Sequence, residues 1–341
     1  MEMKILIIGG SGFLGSRILH HFSLKIHEIT VITRGIHKID AKEKCKYIQI
    51  DRKKRTKFKS SLMKYEFDWV IDVCAMEHQD TKEIIEIFKN RTSHFLHIST
   101  DAVYDFAHLE DYSTFPIFES DKQGDLTDSH DYRREKRKCE QLLMQAYEKS
   151  KFPVTIIRPT YIYGPNNYKY REKYFFDRIF AKKNLFIPYP GNAYVDLVHV
   201  DDVASLCVEC LQNPKSIGEI YNASGGELTS GELLAKLVGN IIEIEPNIVY
   251  YTDDDLRKAR WPENKRLYPF ISKGIKCISN QKAIHQLGWI PQIRLREGIN
   301  QCYKTYMEKG FEEINWKDEE QLFNTILNNQ KILQNKNEIQ L

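Results

Sequence analysis

Two side chains whose chemistry depends on being neighbours stand in "DYRREK" (131–136), the phenol of Tyr132 and the ammonium of Lys136. Residues four apart share one face of a helix. There a cation favours the phenolate, which can exchange a proton with a substrate hydroxyl or carbonyl. The spacing alone does not single this pair out, because Tyr147 and Lys151 in "YEKSK" repeat it. A second chemistry lies in "GGSGFLG", where Gly9, Gly12 and Gly15 recur every third residue. Glycines between a strand and a helix let the backbone turn tightly and approach a pyrophosphate, which then sits at the helix N-terminus. That context predicts a dinucleotide.

The end of the second predicted strand addresses which dinucleotide it is. An acid about twenty residues beyond the glycines would bind the NAD ribose, whereas an arginine accommodates the NADP 2′-phosphate. Thr33 stands where the acid is expected and Arg34 follows it, so NADP is favoured and NAD stays open. Asp51, in "QIDRKK", is placed to meet the adenine edge or to shape a turn.

These residues need a scaffold, and short runs rich in Val and Ile supply one at 4–9, 28–33, 46–50, 68–73, 94–99 and 154–159. Such runs read as buried parallel strands. Helical patterns fall between them, as in Leu14, Ile18 and Phe22 or Ile84, Ile87 and Phe88. Alternating units of this kind predict an α/β fold, a doubly wound parallel-sheet Rossmann fold, with a smaller C-terminal substrate-binding lobe. The expected divisions are a dinucleotide-binding domain over 1–165, an insertion into the lobe over 166–194 and a return to the sheet over 195–225. The lobe proper follows over 226–315, with a polar helical tail over 316–341.

Composition excludes other classes. The chain has 341 residues, 42% hydrophobic, enough for a substantial core. Fifty Lys and Arg stand against 47 Asp and Glu, and a net charge of +3 gives no global argument for nucleic acid or an acidic membrane. The seven cysteines are scattered, which suggests a reducing compartment. The pair in "CVEC", Cys207 and Cys210, has no second pair to complete a zinc site and reads as helix packing, so no metal is expected. The opening "MEMKILIIGG" is too short an apolar run for a signal peptide, and no window approaches a membrane span. The expectation is a cytoplasmic protein, with a homodimer left open.

"ISTDAVY" (98–104) ends the fifth strand and "DYRREKRKCE" opens the helix before the sixth, so the sequence resembles the extended short-chain dehydrogenase/reductase family of epimerases, dehydratases and reductases. "RPTYIYGP", "LVHVDDVA", "YNASGGE" and "LGWIPQIRLREGI" extend the likeness over about the first 300 residues. The resemblance implies that Thr100, Tyr132 and Lys136 are catalytic, and it makes Tyr147 and Lys151 a decoy at the helix exit. It implies cofactor contacts from Gly9, Ser11, Gly12, Phe13, Leu14, Gly15, Thr33, Arg34, Asp51, Arg52, Ala75 and Pro159. Met76, Asp101, Tyr161 and Phe175 would face a sugar-like substrate, with a nucleotide sugar left open. His199, Asp201 and Asp202 of "HVDD" read as a structural return to the sheet. Tyr163, Tyr168 and Phe176 are pocket or core.

Departures narrow the reaction. Family 4,6-dehydratases carry Asp-Glu after the threonine, but here Ala102 follows Asp101, which favours epimerisation or simple oxidoreduction. Epimerases tend to have Asn where Tyr161 stands, so a UDP-sugar is in question. "RPTYIYGPNNYKYREKYFFDRI" resembles the branch that includes chloroplast stem-loop-binding proteins, which raises an RNA-binding alternative. Six of the eight residues 52–59, "RKKRTKFK", are basic, but Phe58 alone does not supply the series of interleaved aromatics that base stacking uses. A net NADPH-dependent ketone reductase is the other alternative.

Overall fold

The structure, a computed structural model, describes residues 2–23, 27–36, 45–106, 111–310 and 314–339. The apolar runs become strands within one residue of their predicted ends: β1 (Lys4–Ile8), β2 (Glu28–Thr33), β3 (Lys46–Gln49), β4 (Trp69–Asp72), β5 (His94–Ile98) and β6 (Val154–Pro159). With Ile220–Ala223 they form one seven-stranded sheet, and every pairing in it is parallel.

Strand β1 shows why the runs are continuous rather than alternating. Ile5 and Ile7 pack on one face with α1 (Phe13–Ser23), while Leu6 and Ile8 pack on the other with α2 (Arg55–Leu62), α3 (His78–Phe88) and α4 (Asp131–Ser150). Both faces are covered, so every position must be apolar. The chain adds β2 and β3 on one side of β1, then crosses to β4, β5 and β6 on the other. That reversal opens the crevice at the carboxyl ends of the strands where open α/β sheets bind ligands.

The remaining elements are β7 (Tyr161–Tyr163), α5 (Glu172–Phe180), β8 (Asn184–Pro188), β9 (Tyr194–His199), α6 (Val200–Gln212), β10 (Ile220–Ala223), β11 (Leu228–Ser230), α7 (Gly231–Ile242), β12 (Asn247–Tyr251), α8 (Asp253–Lys258), β13 (Ile275–Lys276), α9 (Gln281–Leu287), α10 (Leu295–Lys309) and α11 (Lys317–Ile339), and all but α6, β10 and α9 build a second layer with its own core. Phe175, Phe176, Leu185, Phe186, Leu234 and Ile299 belong to its separate core.

Two expected boundaries are corrected. The return to the main sheet over 195–225 does not include its first strand, because β9 pairs instead with β7, β11 and β13. Only α6, against α1, and β10, beside β6, return. The tail is not separate either. Leu322 and Ile326 of α11 are buried in the second core, and Glu319 is ion-paired to the buried Arg178. A polar composition concealed this because the buried residues form one narrow stripe. Among the described residues no helix is long and apolar enough to cross a membrane.

Candidate active site

The glycine loop links β1 to α1. Gly9 adopts φ +90°, and its N–H donates to Ile32 O at 2.8 Å. A Cβ on Gly15 would stand 2.2 Å from Gly9 O, so this glycine lets helix and strand touch. Gly12 differs. A Cβ there would meet only Gly9 O, at 3.4 Å, leaving space above the loop open. Helix α1 has no acidic residue in its first turn, so its partial positive charge is uncompensated. A turn, a close packing contact and an open face with N–H groups toward an anion are the three features a dinucleotide pyrophosphate requires. Leu14 is buried under the loop, and Phe13 meets Tyr168 edge-on at 6.5 Å.

Beside the loop, Ser11 Oγ and Thr33 Oγ1 are 2.5 Å apart, and the Gly35 N–H donates to Thr33 at 3.1 Å. Thr33 is buried, whereas the Arg34 side chain is exposed at the strand end. Asp51 caps a turn, accepting from the Lys53 N–H at 2.9 Å. Arg52 is a correction: its side chain does not face a cofactor. It is buried and makes a forked contact with Asp72, at 2.9 to 3.1 Å, and donates to Asp80 O at 3.2 Å. Burial of both partners holds it there.

From the loop the crevice runs along Cys74 and Ala75 toward α4. Cys74 would be 3.1 Å from a Cβ on Gly9, and Ala75 O accepts from Lys136 Nζ at 2.8 Å. The same ammonium donates to Ile98 O at 2.8 Å, so Lys136 spans the carboxyl ends of β4 and β5. Burial lowers its pKa. Thr100, two residues beyond β5, donates to Asp101 Oδ1 at 3.4 Å and accepts from the Ala102 N–H at 3.2 Å, with Tyr132 near its hydroxyl. Burial raises the Tyr132 phenol above its usual value, and the nearby Thr100 hydroxyl opposes that shift. Thr100, Tyr132 and Lys136 thus come together at the crevice, with Pro159 at the end of β6. Met76 is exposed at the rim. Tyr147 and Lys151 lie at the far end of α4, about 22 Å along its axis, where Lys151 sits over the Tyr147 ring.

The lobe contributes residues that the motifs did not mark. Lys276 on β13 pairs with Asp101 at 2.6 Å, both almost fully buried, and its ammonium lies 4.4 Å from the Tyr161 ring centroid. The guanidinium of Arg171 lies over the same ring at 4.9 Å. Asp196 is buried behind this group, which pushes its carboxyl up to about 7 although it accepts from the Gly225 N–H at 3.0 Å. Asp101 and Tyr161 therefore meet at the site through Lys276, a residue with no motif around it. Phe175 is corrected. It is fully buried in the second core, its ring 6.4 Å from that of Phe270, rather than open to a substrate. Tyr163 and Phe176 are buried in that core too. A cavity of about 910 Å³, walled by Tyr251, Trp261, Arg266, Tyr268 and Phe270 among others, adjoins Tyr161 through Phe270.

Two other groups resolve into structure. His199 caps α6, its Nδ1 accepting from the Asp201 N–H at 3.2 Å; Asp202 accepts from the Gln292 N–H at 2.8 Å. Cys207 and Cys210 are buried in the first core. In the basic run, Lys53 pairs with Glu77 and Asp80, Arg55 with Asp80 and Glu83, and Lys59 with Glu86, so α3 neutralises most of it. That pairing reduces the free charge that the run could offer a phosphate backbone.

Residues 5–224 match the model of the NAD dependent epimerase/dehydratase family. The chain belongs to that family, as an enzyme of the extended short-chain dehydrogenase/reductase type. It is 29% identical over 323 residues to the chloroplast stem-loop binding protein of 41 kDa b from Arabidopsis thaliana, covering 91% of this chain and 80% of the relative. It is 24% identical over 353 residues to a dTDP-D-glucose 4,6-dehydratase from Bos taurus, covering 93% of this chain and 91% of the relative. Its fold is similar to that of a UDP-glucose 4-epimerase from Thermotoga maritima, with a TM-score of 0.74 at 18% identity, covering 90% of this chain and 99% of that one.

Proposed function

We propose that this protein catalyses reversible hydride transfer at a secondary alcohol of a sugar-like substrate, with epimerisation or simple oxidoreduction as the outcome. The convergence of Thr100, Tyr132 and Lys136 beside the glycine loop carries the reading. A bound nicotinamide supplies the hydride acceptor and, when oxidised, a positive charge. In the oxidative direction Tyr132, as phenolate, takes the substrate hydroxyl proton, and Thr100 holds the same oxygen. The C–H electron pair leaves as hydride and the carbon becomes a ketone. Return of hydride to the opposite face inverts the centre with no net redox change, whereas release of the ketone is net oxidation. Because burial raises the Tyr132 phenol, the neighbouring positive charges must bring it down for the base to act near neutrality.

Ala102 leaves no carboxylate beside Asp101, and Asp101 is already paired with Lys276, which argues against ordinary dehydration. Arg34 supports NADP over NAD. The substrates named for the relatives support a nucleotide sugar. Mass analysis of nucleotides that copurify with the protein tests this, together with assay of Tyr132→Phe. Copurification of neither a dinucleotide nor a sugar nucleotide, with full activity in the variant, would reject it.

A further inference from the structure

We infer that Tyr168 is a cofactor-retaining residue, its ring reaching from the second layer across the crevice to the glycine loop and closing the end beside Tyr132 over a bound dinucleotide. The inference deepens the proposed hydride-transfer reading and rests on it for a dinucleotide that runs from the glycine loop to Tyr132. Tyr168 stands in the connection between β7 and α5. Its ring meets Phe13, the first residue of α1, edge-on at 6.5 Å. The aromatics around it in the sequence turn the other way: Tyr161 meets Phe270, Tyr163 meets His199 and Tyr170 meets Tyr174, all partners of the second layer. The Tyr168 phenol is also near enough to Tyr132 for the charge of one to act on the other. One side chain thus joins the two ends of the crevice.

An exposed tyrosine is by itself ordinary. This one is held in place by its backbone. Gly164 and Asn166 adopt φ +139° and +68°, the left-handed region that glycine and asparagine enter most readily. The turn is tied at two points to one buried carboxylate: Glu172 accepts from the Gly164 N–H at 3.0 Å and from Asn167 Nδ2 at 3.0 Å, while Asn167 Oδ1 accepts from the Lys169 N–H at 3.0 Å. Lys169 in turn places its ammonium 5.1 Å from the Tyr168 ring centroid. Despite these neighbours the side chain is 70% exposed, so most of its surface is free to cover a ligand. A fixed turn presents the ring without the entropic cost of ordering a loop. Release of a dinucleotide that lies between Phe13 and Tyr132 then requires the ring to give way. Retention bears on the outcome of the reaction, because inversion without net redox change needs the reduced cofactor and the ketone to stay together, whereas net oxidation needs exchange.

Stopped-flow release of NADPH, followed by its fluorescence after a chase with excess NADP, measures the retention, with NADH in parallel. Tyr168→Ala should release the reduced nucleotide about 2- to 12-fold faster, the range that one aromatic contact supplies. Its melting temperature should be unchanged, because the side chain is exposed. Tyr168→Phe keeps the ring and should release at the wild-type rate. Phe13→Leu removes the partner, and the double variant with Tyr168→Ala should release more slowly than the product of the two single effects, because the two residues share one contact. Release at the wild-type rate from Tyr168→Ala would overturn the inference, as would release from Tyr168→Phe as fast as from Tyr168→Ala, a fully multiplicative double variant, or a wild type that binds neither reduced nucleotide. Because release is read without turnover, activity retained in Tyr132→Phe would remove the hydride-transfer reading and leave the retention result standing.

Discussion

Gly12 and Gly15 lie three residues apart in one loop, and alanine at each should separate cofactor binding from folding. At Gly15 the new Cβ would sit 2.2 Å from Gly9 O and 2.8 Å from the Gly10 Cα. Both obstacles are backbone, so α1 must move off β1. Overpacking of this kind costs about 1–3 kcal/mol, and the protein should melt a few degrees lower while also losing nucleotide. At Gly12 the only neighbour is Gly9 O at 3.4 Å, and the residue has no positive φ. Alanine is compatible there and should leave stability unchanged or raise it by about 0.4–1 kcal/mol through the unfolded chain. The added methyl would occupy the space above the loop, which no protein atom fills. If a pyrophosphate approaches there, one or two charge-assisted hydrogen bonds are lost at about 1.5–3 kcal/mol each, or roughly 10- to 150-fold in affinity for a single bond. Thermal melting with fluorescence titration of NADP and NAD measures both effects. A Gly12→Ala protein that binds both nucleotides like the wild type would refute the placement of the pyrophosphate over this loop.

Tyr132→Phe should lower turnover by about 10²- to 10⁴-fold with nucleotide affinity nearly intact, since it removes the proton-transfer group and keeps the ring; Tyr147→Phe should change neither. Arg34→Ala should weaken NADP by about tenfold and leave NAD unaltered, because only NADP offers a 2′-phosphate; equal losses in parallel titrations would show that Arg34 does not read it. Burial lowers His94 and His199 to about 4. The unfolded chain therefore takes up protons that the folded one refuses, and stability should be full above pH about 6.5 and fall as pH drops toward 4. His199→Asn keeps a capping acceptor for the Asp201 N–H and should flatten that slope in urea midpoints measured against pH, whereas an unchanged slope would mean His199 does not contribute.

The dinucleotide half was legible because local rules specify it. A parallel strand buried on both faces must be a short unbroken apolar run, and a glycine loop must stand between such a strand and an amphipathic helix. β1, the loop and α1 therefore appear in the sequence almost as they fold. Arg52 was misread for the opposite reason. Its partners Asp72 and Asp80 come from later units of the sheet, and nothing adjacent marks an arginine as buried. The basic run around it read as a surface patch only because the acidic face of α3 that neutralises it lies elsewhere in the sequence.

The substrate half shows the limit more sharply. Phe175 and Tyr161 are both aromatics near "YGP", but one is sealed in a core and the other lies under two cations at the site. The difference is set by Phe270, which packs against both, and by Lys276, which reaches Asp101 from near the other end of the chain. A lysine in "SKGIKCIS" has no spacing partner, so no periodicity or motif can announce it. Its effect on the chemistry is nonetheless direct. It keeps Asp101 engaged as a charged partner beside Thr100, so the carboxylate most able to serve as a second acid is held by protein. In the proposed reaction, proton transfer would then be left to Tyr132 alone, which suits hydride exchange at one carbon and disfavours elimination across two.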